Sequence, residues 1–134
     1  MYFVLINGCD YLIPEAVVIN NQDIFMNYVI EVNGLKYLDI SKLFSSGMID
    51  VISKIYNESC SAVSMRALDI CDDKFLSEYN SLDDKLREFG KEMRDYFDKD
   101  QGKSLEILNM GFETILKLYQ EINMGEDVIY NRAK

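Results

Sequence analysis

An Asn-Gly dipeptide between two apolar runs admits few structures, and this chain has two of them in its first forty residues. Both residues tolerate positive φ, so the pair closes a type I′ turn whose twist suits two flanking strands. Around Asn33-Gly34, a two-residue turn pairs Val32 with Leu35, Glu31 with Lys36, Ile30 with Tyr37 and Val29 with Leu38. Glu31 and Lys36 then face each other, and opposite charges across a strand pair are favourable. One face carries Tyr28, Ile30, Val32, Leu35 and Tyr37, and a one-residue slip would scatter that set over both faces. Asn7-Gly8 follows the run Tyr2–Ile6, with a return strand expected near Tyr11 across a longer or bulged loop. Pro14 cannot donate to a ladder, so its strand lies at an edge or ends there. A lone hairpin is marginal in water, which predicts a small antiparallel sheet of three or four strands.

From Asp39 onward the apolar period becomes helical. A first helix is expected over about 41–56, with Phe44, Met48, Ile52 and Ile55 on one side. Gly47 is a candidate break, in which case Ser46 caps a shorter helix. A second is expected over about 61–79 through Met65, Leu68, Phe75 and Tyr79, with Asp72 an odd polar insertion. Ser81 reads as the N-cap of a third, with Asp84 near the capping-box position and Leu82, Leu86, Phe89, Met93 and Tyr96 as its seam. A fourth, about 101–124, repeats Leu105, Leu108, Phe112, Ile115, Tyr119 and Ile122, and Gly125 stops it. The tail, 127–134, is expected to fray or to add one strand. The fold class is α+β. A small N-terminal antiparallel sheet built on two Asn-Gly hairpins packs against a C-terminal bundle of three to four helices. Residues 1–134 form one domain, β-rich over 1–40 and helical over 41–134, a length usual for a single domain.

The chemistry is more easily excluded than assigned. The chain has no histidine, so the commonest general base and metal ligand is missing, and Ser-His-Asp and Cys-His arrangements are ruled out. No phosphate-binding glycine loop and no calcium loop occurs. Cys9, Cys60 and Cys71 make an odd count, which argues against a disulfide framework. They are expected to be small buried hydrophobes in a reducing compartment. Asp72-Asp73 and Asp83-Asp84, with Glu88 or Glu92, are the best metal candidates, but neighbouring carboxylates on a helix point apart. The expectation is therefore a protein that is not an enzyme, with no cofactor and no metal.

What remains is charge. Twenty-three acids against 14 bases give a net charge of −9. The excess lies mainly in the helical half, where Asp84, Glu88 and Glu92 recur at every fourth position with Asp95 close by, and Asp69 and Asp73 repeat the spacing upstream. Like charges at that spacing cost about 0.2–0.5 kcal/mol per pair. Pairs such as Asp83–Arg87, Lys91–Asp95 and Arg94–Asp98 offset part of it. A persistent local cost is a hint of function, and solubility is the plain alternative. Net negative charge disfavours nucleic acid and favours a basic protein surface. The expected role is a small acidic inhibitor, with Asp84, Glu88, Glu92, Asp95, Asp69 and Asp73 binding a larger protein. A nuclease or its nucleic-acid channel is an example of such a partner. In size and charge, though in no motif, the chain is similar to phage anti-defence proteins such as anti-CRISPR proteins, and to toxin-neutralising immunity proteins. The alternative is a homodimer through the last two helices, in which the acidic face only solubilises. The N-terminus lacks a basic leader and no run reaches a membrane span's roughly 20 apolar residues, so a soluble cytoplasmic protein is expected.

Overall fold

The computed structural model describes residues 2–70 and 72–123. Strand β1, Tyr2–Ile6, turns directly into β2, Cys9–Leu12. Helices α1, Glu15–Asn20, and α2, Gln22–Tyr28, follow. Next comes the hairpin of β3, Val29–Val32, and β4, Leu35–Asp39. Four more helices complete the described chain: α3, Ile40–Ser45, α4, Ile49–Ile70, α5, Asp73–Phe97, and α6, Gln101–Asn123. The architecture is α+β, a small N-terminal sheet against a helical remainder.

The Asn33-Gly34 hairpin has the register its sequence dictates, Val29 opposite Leu38 through Val32 opposite Leu35. Asn33 and Gly34 both take positive φ, 53° and 79°. Asn7-Gly8 corrects the expectation of a longer loop. Ile6 pairs with Cys9 across a tight two-residue turn of the same kind, with φ of 53° and 77°. The return strand therefore starts two residues before Tyr11. The expectation of a wholly antiparallel sheet is also corrected. The strand order is β2-β1-β4-β3, and β1 runs parallel to β4. Parallel neighbours need a crossover of a dozen or more residues, and α1 with α2 supply it.

That crossover lies in the half expected to be β-rich. Its Val17-Val18-Ile19 run favours strand, but Val17, Asn21 and Phe25 are buried at every fourth position, the spacing of one helical face. Pro14 ends β2 and opens α1. Between the two short helices, Asn21 donates through Nδ2 to the Val17 carbonyl at 2.8 Å and to Glu58 at 3.2 Å, so a buried amide is satisfied where the chain bends.

Helix boundaries also differ from expectation. Gly47, at φ +75°, does break the chain, but Ser46 ends α3 instead of starting α4. Asp39 caps α3, accepting from the Lys42 amide at 3.3 Å. α4 then runs 22 residues, with no break near residue 60. The next break falls at Asp72, whose carboxylate accepts from the Lys74 amide at 2.9 Å and caps α5. Ser81 is therefore no cap. It sits inside α5 and donates to the Glu78 carbonyl at 2.8 Å, a bond a helix interior can satisfy. α6 starts where expected, while Gly125 and the tail lie outside the described residues.

The helices meet on Tyr56 of α4. Its ring stacks edge-on against Phe112, centroids 5.2 Å apart, and its hydroxyl donates to the Leu86 carbonyl at 2.7 Å. Two glycines admit it. A Cβ on Gly111 of α6 would stand 2.8 Å from the Tyr56 ring, and one on Gly90 of α5 would stand 3.3 Å away. Around this point Ile52, Ile55, Leu86, Met93, Leu108, Ile115 and Leu116 are fully buried. The inward sheet face adds Val4, Ile6, Tyr11 and Leu38. Burial and Glu113, which accepts from its hydroxyl, raise Tyr11 to about 12. Cys60 is half-buried in α4, and burial pushes its thiol up to about 12. Cys9 is exposed, against the expectation of burial, and Cys71 lies outside the described residues.

Candidate functional site

α5 is an amphipathic helix with a sharp division. Tyr79, Leu86 and Met93 are buried on the side facing α4 and α6. At 100° per residue, Asp84, Glu88, Glu92 and Asp95 fall within an arc of about 80° on the opposite side. Asp73, three turns before Asp84, adds only about 20° to that arc. Asp84, Glu88, Asp95 and Asp73 are exposed and Glu92 is half-buried. One helix thus carries five of the six acids singled out from sequence. The sixth, Asp69, stands across the break at Asp72, in the last turn of α4, and belongs to no common helical stripe with the others. Asp73 has a local reason for its place, since a carboxylate in a first turn favours the positive helix end. Asp69 has no such reason, being at the negative end of α4.

Within the arc, Glu88 and Glu92 come within hydrogen-bonding reach of each other. Glu92 holds its proton above the usual carboxylate range. The main cause is that hydrogen bond to Glu88, followed by partial desolvation and the Glu88 charge, while Lys103 acts in the opposite sense. Two carboxyls one turn apart therefore repel at neutral pH.

Two of the metal candidates have structural roles. Asp72 caps α5. Asp83 pairs with Arg87 at 2.8 Å and accepts from the Tyr79 hydroxyl at 3.2 Å. Among the described residues no group of three His, Cys, Asp or Glu side chains is placed to hold a metal ion.

The acidic arc is not isolated. α5 contains seven acids and five bases. Arg87, Lys91 and Arg94 run along its α4 side, where they line a groove of about 390 Å³ with Ser53, Tyr56, Asn57, Gly90 and Met93. Arg94 donates to Ser53 Oγ and Asp50 Oδ1, both at 3.0 Å, instead of pairing with Asp98. This groove was missed from sequence. Its signal was the spacing of Arg87, Lys91 and Arg94, which reads equally well as compensation for neighbouring acids. The α4 wall becomes evident only from packing.

The apolar seams of α5 and α6, offered above as a dimer surface, are spent inside the chain: Leu86, Met93, Leu108, Phe112 and Ile115 are all buried. Exposed apolar side chains gather elsewhere, at Tyr28, Ile30, Val32 and Leu35 around the β3–β4 hairpin. No described helix is long and apolar enough to cross a membrane. No protein-family model, no curated protein and no solved structure matches the chain.

Proposed function

We propose that this is a non-catalytic cytoplasmic binding protein that lays the outward face of α5 on a basic surface of a larger protein and occludes it. A nuclease, or the channel through which it takes nucleic acid, is the partner class that the carboxylate row fits. The observation that carries this reading is the arc itself, with Asp84, Glu88, Glu92 and Asp95 on one outward side of α5. Mutual repulsion on an exposed helix face contributes nothing to the fold, and a cation from a partner would relieve it. Asp73 extends the same face, and Asp69 lies beyond its end. The repulsion also gives the encounter an electrostatic drive that salt weakens.

The test is capture of purified nucleases on the immobilised chain across a salt gradient. Binding is expected at low salt, falling as salt rises, and lost in the triple variant Asp84→Lys, Glu88→Lys, Glu92→Lys. Capture that ignores this reversal would refute the charge-mimic mechanism. A second reading, self-association with a merely solubilising acidic face, has one observation in its favour: the exposed apolar set at the β3–β4 hairpin, with β3 at the sheet edge among the described residues. Sedimentation separates the two, because a concentration-dependent dimer lost in Ile30→Lys belongs only to the second.

A further inference from the structure

We propose that the groove between α4 and α5 is a binding site for a small molecule carrying a single phosphate group. Its α5 wall presents Arg87, Lys91 and Arg94 at i, i+4 and i+7, one helical face. Like charges at those spacings disfavour a helix, and in a chain of net charge −9 their convergence is against the general trend. Facing them, α4 offers Ser53 and Asn57, a hydroxyl and an amide one turn apart.

The cations are positioned by the fold. Arg94 is held by two hydrogen bonds to α4, at 3.0 Å to Ser53 and 3.0 Å to Asp50. A guanidinium has five N–H donors, so others remain for a ligand. Arg87 is tied to Asp83 at 2.8 Å. These two carboxylates orient the arginines, and Lys91 supplies a compact charge between them. Arginine forks and a lysine point charge are the donors that suit a phosphate.

The rest of the lining is suited to an organic body. Tyr56 turns its hydroxyl away to the Leu86 carbonyl and presents ring to the groove. Gly90 leaves room for that ring at the base of the groove, since a Cβ there would stand 3.3 Å from Tyr56 Cε2 and 3.9 Å from Asn57 Oδ1. A volume of about 390 Å³ lies at the small end of ligand sites. The acidic arc selects for size as well. Asp84, Glu88 and Glu92 stand on the next face of the same helix, and their field repels a long polyanion while leaving room for one terminal phosphate.

Phenyl phosphate is the probe, titrated calorimetrically into the full chain beside phenol, benzoate and a short single-stranded oligonucleotide. The expected result is saturable binding of one phenyl phosphate per chain, at least about tenfold tighter than any of the other three. Lys91→Glu and Arg94→Gln each weaken it about tenfold or more, as loss of a charge-assisted hydrogen bond would. Glu88→Lys, on the next face of the helix, does not weaken it. Lys91 is exposed, so its reversal leaves the fold intact, as circular dichroism would verify. Absence of saturable binding, or equal binding by Lys91→Glu, overturns the site. Benzoate binding as tightly overturns the phosphate assignment, and tight oligonucleotide binding overturns the restriction to a small ligand.

Discussion

The outward face of α5 and its α4 flank are built from the same helix in different ways. The outward face is a row of carboxylates turned mainly to solvent, with Lys103 of α6 beside Glu92. The flank is a groove whose floor is Tyr56, and Tyr56 is where α4, α5 and α6 pack together. Charge on the first is positioned by helical spacing alone. On the second, Arg94 is positioned by hydrogen bonds that cross to α4. The lesson is that a helix can display charge cheaply, but holding it in a set geometry takes a second element. A flat, repulsive row suits a partner that brings its own cations, whereas an anchored groove suits a ligand that must be fitted.

This contrast can be broken most severely at Tyr56. Tyr56→Ala removes the groove floor and a buried aromatic, and should cost about 3–5 kcal/mol, a large part of a domain's usual 5–15 kcal/mol. Chemical denaturation measures the loss, and phosphate binding should vanish at temperatures where the variant is still folded. Partner capture through the carboxylates should survive there. If both activities fall together, the two flanks are not separable. Gly111→Ala is the next largest change. Its methyl would meet the Tyr56 ring at 2.8 Å, and overpacking of this kind costs about 1–3 kcal/mol. Because the push comes from the α6 side, it should disturb the groove through Tyr56 and leave the carboxylate row unaltered.

The sequence foretold these regions unequally. The Asn33-Gly34 hairpin was legible to the residue, because turn chemistry and the Glu31–Lys36 pairing agree with the face pattern. The carboxylate row was legible for the same kind of reason, since it needs only helical spacing within α5. Helix ends were not. Ser81 looks like a cap but spends its hydroxyl on the Glu78 carbonyl, whereas Asp72, an apparent intrusion in an apolar seam, is the true cap. Moving that break is also what separates Asp69 from Asp73. The β-branched run at Val17–Ile19 became helix because Val17, Asn21 and Phe25 are buried together, and tertiary burial overrides local preference. The groove as a whole was not legible, for Ser53 and Asn57 lie far in sequence from Arg94 and meet it only when α4 packs on α5.

Glu92 gives the smallest effect and the sharpest probe of the outward face. Its carboxyl is held above the ordinary range mainly by Glu88, so the folded chain grips this proton more tightly than the unfolded chain does. By linkage, stability falls as pH rises through the ordinary carboxylate value and on to the raised one, and above that window the penalty is complete. Glu92→Gln has no charge to repel and avoids the penalty. It should melt slightly higher than the parent at about pH 7 and identically at about pH 3, where both are neutral at this position. An equal difference at both values would mean that the gain comes from packing or helix preference instead. The same proton reports on the partner. A cation laid over this pair of carboxyls, Glu88 and Glu92, favours the charged form of Glu92, so binding just above the carboxylate range should release a proton, seen as a heat that varies with the ionisation enthalpy of the buffer. Binding that takes up protons would place the partner's cations elsewhere, and the carboxylate row would then be only a solvated surface.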